Sequence, residues 1–211
     1  MKVINCEQGT PEWHAARAGR VTASRVADMI ARTKSGWSTS RAKYRNELVA
    51  ETLTGRVADD FFMSAAMKWG VDHEGAAADQ YAFLTDAALA TVGFVVHPDI
   101  DRAGASPDRL IGNDGLLEIK CPLTATHINT LLTQEINPDY VLQMQWQMAC
   151  TGRAWCDFVT FDPRLPAEMQ IWMQRVHRDN AVIADLVEQT KAFLGEVEDI
   201  VAALRKSYPR A

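Results

Sequence analysis

The segment SPDRLIGNDGLLEIKCP, residues 106–122, constrains the fold of this chain more than any other part of the sequence. Asp108 follows a proline, which places it beside a turn, and Asn-Asp-Gly at 113–115 is a strong hairpin signal. The apolar run GLLEIKC at 115–121 is typical of a strand. A hairpin through 113–115 would return Asp108 to the side of Glu118, so the sequence predicts two carboxylates at one end of a hairpin.

Glu118 and Lys120 are two residues apart, so the alternation of a strand aims both side chains at the same face. Leu117 and Ile119 then point to the opposite face, into the core. Two converging carboxylates make an oxygen site for a hard divalent cation. A lysine on the same face is a point charge that could orient a water, polarise a phosphate or act as a base if its pKa were lowered. A metal ion and a lysine at one site are the groups that hydrolytic cleavage of a phosphodiester requires.

Each part of this pattern also has an ordinary structural interpretation. A Glu-x-Lys pair on a strand is usually a solvated charge pair, and an Asp after Pro is usually a turn residue. The combination of a turn Asp, a hairpin-length gap and a Glu-x-Lys in an apolar strand favours the site over either interpretation alone.

The remaining periodicity alternates between helices and strands. We expect short helices within 10–31, a Gly/Ser-rich loop at 35–40, helices at 41–54, 64–84, 124–134, 138–150 and 179–206, and strands at 91–97, near 101–106, 154–161 and 168–176. This order predicts an α/β or α+β sheet domain with helices packed against the sheet. No internal repeat interrupts it. We expect a single nuclease domain over 1–211, with a basic helical part at 1–60, a catalytic core at 61–176 and a C-terminal helix at 177–211.

The predicted helix at 138–150 carries a polar stripe. Tyr140, Gln143 and Gln147 are spaced by three and four residues and share one face, while Gln145 points elsewhere. Such a stripe is often solvated, but the rest of this helix is apolar. The sequence therefore predicts a buried polar face beside the metal.

The net charge of −5 is unevenly distributed. Residues 1–56 hold ten Lys and Arg against five Asp and Glu, a balance of +5, and the rest holds twelve against twenty-two, a balance of −10. A basic N-terminal part could meet phosphates while the acidic remainder holds metal and faces solvent, although a chance asymmetry of a solvated surface would look the same. The weak basicity argues against tight, salt-driven binding along bare duplex.

Several sequence features bear on the cellular location. No run of about 18 apolar residues predicts a membrane span, and the N-terminus has no apolar segment typical of a signal peptide. The four cysteines form no CxxC pair, which indicates free thiols and not a disulfide framework or an iron–sulfur cluster. We expect a cytoplasmic protein with no membrane association.

The core segment resembles that of the PD-(D/E)xK nucleases, which implies a restriction-endonuclease-like core with a mixed central β-sheet flanked by helices. More narrowly, the chain resembles the lambda-exonuclease (YqaJ-type) viral recombinase family, and the resemblance covers residues 7 to about 180. Further segments match the family in order, namely EWHAARAGRVTASRV (12–26), MKWGVDHE (67–74), YVLQMQWQM (140–148) and FDPR (161–164).

The resemblance implies a role for each matching position. Asp108 and Glu118 would ligate magnesium, with the Ile119 carbonyl as a further ligand, and Lys120 would position or deprotonate the attacking water. Glu74 would complete the acidic site, and Gln143 would hold the scissile region near the metals. The family pattern also implies a site for the 5′ phosphate, formed by Arg17, Ser24 and Ser106. Met67 would be an apolar wedge that helps separate the terminal base pair.

The family further implies a 5′→3′ exonuclease that digests one strand of linear double-stranded DNA and leaves 3′ overhangs. It implies two Mg²⁺ ions per site with Mn²⁺ as a substitute, a ring-shaped homotrimer around DNA, a single-strand annealing protein as partner, and a phage or prophage origin in a bacterial host. The residues alone leave alternatives open. These are an endonuclease or single-strand nuclease on the same core and a non-catalytic scaffold that binds DNA ends. Likewise Arg17 could be a surface residue, Ser24 a helix cap and Met67 a core residue.

Overall fold

The computed structural model describes residues 1–57 and 64–209, so the expected boundary between residues 60 and 61 lies outside the described residues. The helices are α1 (Pro11–Arg17), α2 (Val26–Ile30), α3 (Thr39–Thr54), α4 (Ala65–Thr85), α5 (Thr124–Thr133), α6 (Pro138–Thr151) and α7 (Asn180–Ser207). The strands are β1 (Lys2–Ile4), β2 (Val21–Thr22), β3 (Arg32–Thr33), β4 (Gly36–Trp37), β5 (Leu89–Ala90), β6 (Phe94–Val96), β7 (Ala103–Ala105), β8 (Arg109–Ile111), β9 (Gly115–Lys120), β10 (Trp155–Phe161) and β11 (Ile171–His177). Short 3-10 turns occupy Ala23–Arg25 and Ala167–Met169.

The longer helices begin and end where local chemistry allows. Helix α3 starts after Ser38, whose hydroxyl accepts from Arg41 N, and stops at Gly55 in the left-handed conformation. Helix α6 starts at Asn137-Pro138 and stops at Gly152 in the same way. These caps satisfy backbone groups that a helix leaves unpaired, and the predicted ends of both helices lie within two residues of the observed ones.

The strands form two main sheets. The larger has the order β11-β10-β9-β8-β5, in which only β9 and β10 are parallel. The smaller has the order β1-β6-β7-β2, with β2 parallel to β7. The expected mixed α/β class is therefore confirmed, with strands divided between two sheets.

The two faces of β9 meet different helices. Leu117 and Ile119 belong to a core cluster with Ala78 of α4. Leu116 belongs to the main core, which contains Met144 of α6. Glu118 and Lys120 share the α6 face with Leu116 by alternation, so the Glu118 carboxylate is buried beneath a helix and not solvated.

Helix α6 lies between the two sheets and packs against β6 and β7 on one side and β10 on the other. Every side chain from Met144 to Cys150 is buried. Because this helix is buried on all sides over that stretch, its glutamines must find partners inside the protein.

The turn between β8 and β9 lies one residue earlier than the sequence indicated. Ile111 pairs with Gly115, so the loop is Gly112 to Asp114, and the left-handed residue is Gly112 at a φ of +48°. Gly115 is the first strand residue. A Cβ there would lie 2.2 Å from Cη2 of Trp155, so Gly115 is required by packing and not by the turn.

The region expected as a loop at 35–40 contains secondary structure. Strands β3 and β4 form a two-stranded hairpin, and Trp37 stacks against the guanidinium groups of Arg32 and Arg41 at 3.9 Å each. Arg41 is almost fully buried and binds Glu196 of α7 through both terminal nitrogens, at 2.9 and 2.8 Å. This ion pair joins α3 to α7.

None of the helices within the described ranges combines the length and apolar character that a membrane crossing requires. All four cysteines are free, as the sequence predicted.

Candidate active site

The end of the β8–β9 hairpin brings Asp108 beside Glu118. Arg109 pairs with Leu117, so Asp108 is the next residue outward and faces the Glu118 position. The Oδ2 atom of Asp108 accepts a hydrogen bond from the Ile119 backbone N–H at 2.6 Å. The fold therefore brings the two carboxylates close together, as the sequence predicted.

The Glu118 carboxylate is 1 % exposed and has donors at both oxygens. Its Oε1 accepts from Gln143 Nε2 at 2.7 Å and from Lys120 Nζ at 2.5 Å. Its Oε2 accepts from Gln147 Nε2 at 2.6 Å. Three donors, one of them charged, offset the desolvation that burial of this carboxylate imposes.

Lys120 lies between Glu118 and α6. Its ammonium group is 4.8 Å from the centroid of the Tyr140 ring, and Gln143 Oε1 is 3.5 Å away. Burial opposes the charged form of Lys120, but the negative charges of Glu118 and Asp108 outweigh it, so the pKa of Lys120 is raised and its ammonium is charged.

Glu74 reaches the same site from α4. Its Oε1 accepts from Arg109 Nη1 at 2.8 Å, and Arg109 also donates to the Asp108 carbonyl. Burial, together with the charges of Glu118 and Glu74, raises the pKa of Asp108 well above its usual range. The site therefore carries excess negative charge that a cation would relieve.

The site offers oxygen donors, which are the ligands that a hard divalent cation prefers. Asp108 and Glu118 present carboxylate oxygens, and the Asp108 charge is only partly compensated. Over residues 1–57 and 64–209, no three His, Cys, Asp or Glu side chains form a group that could hold a metal. Among the expected site residues, Glu74 is engaged by Arg109.

A groove of 1070 Å³ opens beside the carboxylates and is lined in part by Trp13, Met67, Glu74 and Asp108. Met67 is in the first turn of α4 and is 42 % exposed, so it is not the core residue that its apolar character alone would suggest. It projects from the helix that also carries Glu74.

Trp13 connects two residues of the expected phosphate site. Its indole Nε1 donates to Ser106 Oγ at 2.8 Å, and the Arg17 guanidinium lies 4.1 Å from its ring centroid. Ser24 is exposed in the 3-10 turn after β2. Strands β2 and β7 are parallel, and Thr22 pairs with Gly104. Ser24 and Ser106 each follow these paired residues by two positions, so both lie at the same end of the smaller sheet.

The sequence analysis gave no site role to Trp13 or Arg109, which the structure places in this region. Gln147, expected on a buried polar face of its helix with Gln143, is buried and contacts Glu118. Arg109 directly follows Asp108, and Trp13 lies four residues before Arg17, but neither spacing reveals a side-chain partner in a distant segment.

Comparison with known proteins agrees with this geometry. A family model described as a YqaJ-like viral recombinase domain matches residues 12–154. No curated protein sequence matches the chain.

Solved structures resemble the chain over nearly its full length. An alkaline exonuclease (LHK-Exo) from Laribacter hongkongensis is 47 % identical, with a TM-score of 0.87, covering 94 % of this chain and 97 % of that one. The same protein in complex with dAMP gives a TM-score of 0.88 at the same identity and coverage. A phage-related exonuclease from Haemophilus somnus 129PT shares the fold at 16 % identity, with a TM-score of 0.72 and coverages of 88 % and 96 %.

The family match spans the polar residues of the site, from Trp13 to Gln147, together with the hairpin that carries Asp108 and Glu118. The chain belongs to the YqaJ-like viral recombinase family.

Proposed function

We propose that this chain is a Mg²⁺-dependent exonuclease that degrades the 5′-ended strand of linear double-stranded DNA and leaves a 3′ single strand. The observation that carries the proposal is the set of a buried Glu118 with a half-buried Asp108 and Lys120 at one hairpin end, beside an open groove. The 47 % identity to an alkaline exonuclease supports phosphodiesterase activity. The SPDRL and LEIKCP segments support a core of the PD-(D/E)xK type.

Asp108, Glu118 and the Ile119 carbonyl would hold the cation. The Ile119 N–H donates to Asp108, and the N–H and C=O of one strand residue point to the same side, so this carbonyl faces the Asp108 side. An all-oxygen set favours Mg²⁺, with Mn²⁺ as a substitute. Two such ions would activate the attacking water and stabilise the leaving oxygen.

The side chains around the carboxylates would then orient the reaction. As a charged ammonium, Lys120 would position the attacking water from the strand end and would not act as its base, and Gln143 would hold the scissile region while donating to Glu118. Glu74 would complete the acidic site, and its bond to Arg109 fixes it close to Asp108.

The groove side would select the DNA end. Arg17, Ser106 and Ser24 would bind the 5′ phosphate, with Trp13 holding the first two in one place. Met67, exposed at the groove, would act as the wedge at the terminal base pair. The positive balance of residues 1–56, which contain Arg17, supports phosphate contacts on this part of the chain.

We also propose an assembly and a biological setting for this activity. A ring-shaped homotrimer would encircle duplex DNA. A ring would keep the DNA bound without strong phosphate contacts, which suits a chain of net charge −5 that must move along the duplex. The 3′ overhangs would serve a single-strand annealing protein in recombination, in the cytoplasm of a bacterial host of a phage or prophage. We propose that residues 1–211 act as one nuclease domain, with a basic part at 1–60, a core at 61–176 and a terminal helix at 177–211.

Digestion of a linear duplex with one 5′-phosphorylated end tests this proposal. The assay compares Mg²⁺ with EDTA, includes a covalently closed circle, and uses Asp108→Ala beside Asp114→Ala, an exposed aspartate in the same hairpin. We expect Mg²⁺-dependent loss of the 5′-phosphorylated strand only, an intact circle, an inactive Asp108→Ala and an active Asp114→Ala.

Other outcomes identify the alternatives. Cutting of the closed circle would make the chain an endonuclease. End binding without cleavage under all conditions would make it a scaffold, and equal loss of activity in both aspartate variants would remove Asp108 from the catalytic set.

A further inference from the structure

Gln147 occupies an unusual position on the face of α6 that meets β9. Its side chain is fully buried, and its Nε2 donates to Glu118 Oε2 at 2.6 Å. Gln143 and Lys120 both donate to the other oxygen, Oε1. Gln147 is therefore the sole donor to Oε2 that the described residues provide.

The other end of the same amide has no partner. Gln147 Oε1 is buried and accepts no hydrogen bond within the described part of the chain. A buried carbonyl oxygen without a donor is destabilising, and few such groups occur in native proteins. An apolar side chain of similar size at this position would avoid that penalty but would leave Glu118 Oε2 without its donor, so the role of the amide lies in its bond to Glu118.

The pattern of donors around Glu118 indicates what the amide accomplishes. A carboxylate oxygen offers two in-plane lone pairs, and Oε1 uses both on Lys120 and Gln143. Oε2 uses one on Gln147 and retains the other. Rotation of the carboxylate would exchange these roles, and the Gln147 bond opposes it.

We propose that Gln147 is a positioning residue for metal binding, which fixes the rotation of the Glu118 carboxylate so that one lone pair of Oε2 stays available to a divalent cation. This inference rests on the proposed function, because it requires that Glu118 be a metal ligand. Residues that orient a ligand in this way commonly contribute tenfold or more to metal affinity.

Gln147→Met tests the proposal, with Gln145→Met as the matched control on the same helix. Gln145 is equally buried, but its amide has partners at both ends: Nε2 donates to the His177 carbonyl and Oε1 accepts from Asp179 N, both at 2.8 Å. Mn²⁺ binding is measured by calorimetry without DNA, and the thermal midpoint is measured in EDTA.

For Gln147→Met we expect Mn²⁺ affinity to fall about tenfold. We expect its metal-free midpoint to stay within about 3 °C of the wild type, because loss of the bond to Glu118 is offset by removal of the unpaired Oε1. For Gln145→Met we expect a lower midpoint and unchanged Mn²⁺ affinity. Gln147→Leu is the second variant should the methionine prevent folding, with the same loss of affinity expected.

Three results would overturn the inference. Unchanged Mn²⁺ affinity in both Gln147 variants, beside a wild type that binds Mn²⁺, would overturn it and leave the proposed function intact. An equal loss of affinity in Gln145→Met would reduce Gln147 to general packing. A wild type that binds no Mn²⁺ would overturn the proposed function together with this inference.

Discussion

The indole Nε1 of Trp13 donates to Ser106 Oγ at 2.8 Å, across 93 residues of sequence, and so ties helix α1 to the strand end just before Asp108. Arg17 stacks on the same indole. One aromatic side chain thus connects the basic N-terminal part of the chain with the acidic site.

Trp13→Phe should lower the preference for a 5′-phosphorylated end about fivefold while it preserves cleavage itself. The ring that supports Arg17 remains, but the hydrogen bond to Ser106 is lost, and such a bond contributes about 1 kcal/mol. The measurement is the ratio of digestion rates on 5′-phosphate and 5′-hydroxyl duplexes. Ser106→Ala should lower the preference at least as much, because it also removes a hydroxyl proposed to bind the phosphate, and the double variant should be no worse than Ser106→Ala alone. Full additivity would contradict a shared role.

Lys120→Ala should lower turnover by about 10²- to 10⁴-fold and leave DNA-end binding intact. The ammonium contacts Glu118, while Arg17 and Ser106, which we propose bind the phosphate, contact Trp13 at the groove. Turnover is followed on a linear duplex, and binding by fluorescence anisotropy of the same duplex in EDTA. Loss of binding in parallel with turnover would show that Lys120 is structural.

The parts of the fold that the sequence predicted depend on local rules. The hairpin between Asp108 and Glu118 follows from a turn signal and strand alternation, and the face of α6 that bears Gln143 follows from helical spacing. Long helices such as α7 were placed within one or two residues because their caps are local.

The parts that were missed depend on contacts between distant segments. Strands β1 and β2 have only three and two residues, and they exist because β1 pairs with β6 and β2 with β7. No local pattern marks such short strands. The same limit applies to Arg109 and Trp13, whose partners Glu74 and Ser106 are 35 and 93 residues away in sequence.

Gly115→Ala should destabilise the protein by about 1–3 kcal/mol, because its Cβ would overlap the indole of Trp155, which packs beneath the strand. The matched control is Gly195→Ala in the middle of α7, where a Cβ meets no atom within 4 Å. That change should stabilise the protein by about 1 kcal/mol, since alanine is the better helix former. Urea unfolding of both variants measures the difference, and equal midpoints would refute the packing argument.

The stability contributed by Glu196 should depend on pH. The hydrogen bonds from Arg41, with a further one from Arg45, lower the pKa of Glu196 below its ordinary value of 4.5. A carboxylate with a lowered pKa adds stability that is fully present above its unfolded pKa and is lost as the pH falls through the folded pKa.

Glu196→Gln should therefore be less stable than the wild type at pH 7, and the difference in unfolding free energy should shrink as the pH falls from about 5 towards 3. Because the Glu196 side chain is 38 % exposed, solvent screening keeps the difference modest. Urea unfolding at several pH values measures it, with Glu198→Gln as the control, since Glu198 is 65 % exposed and contacts Arg102 only at 3.5 Å. The Glu198 variant should follow the wild type at every pH, because a long contact between exposed groups contributes little. A Glu196 difference that is constant with pH would mean that the glutamine acts through packing and not through the lost charge.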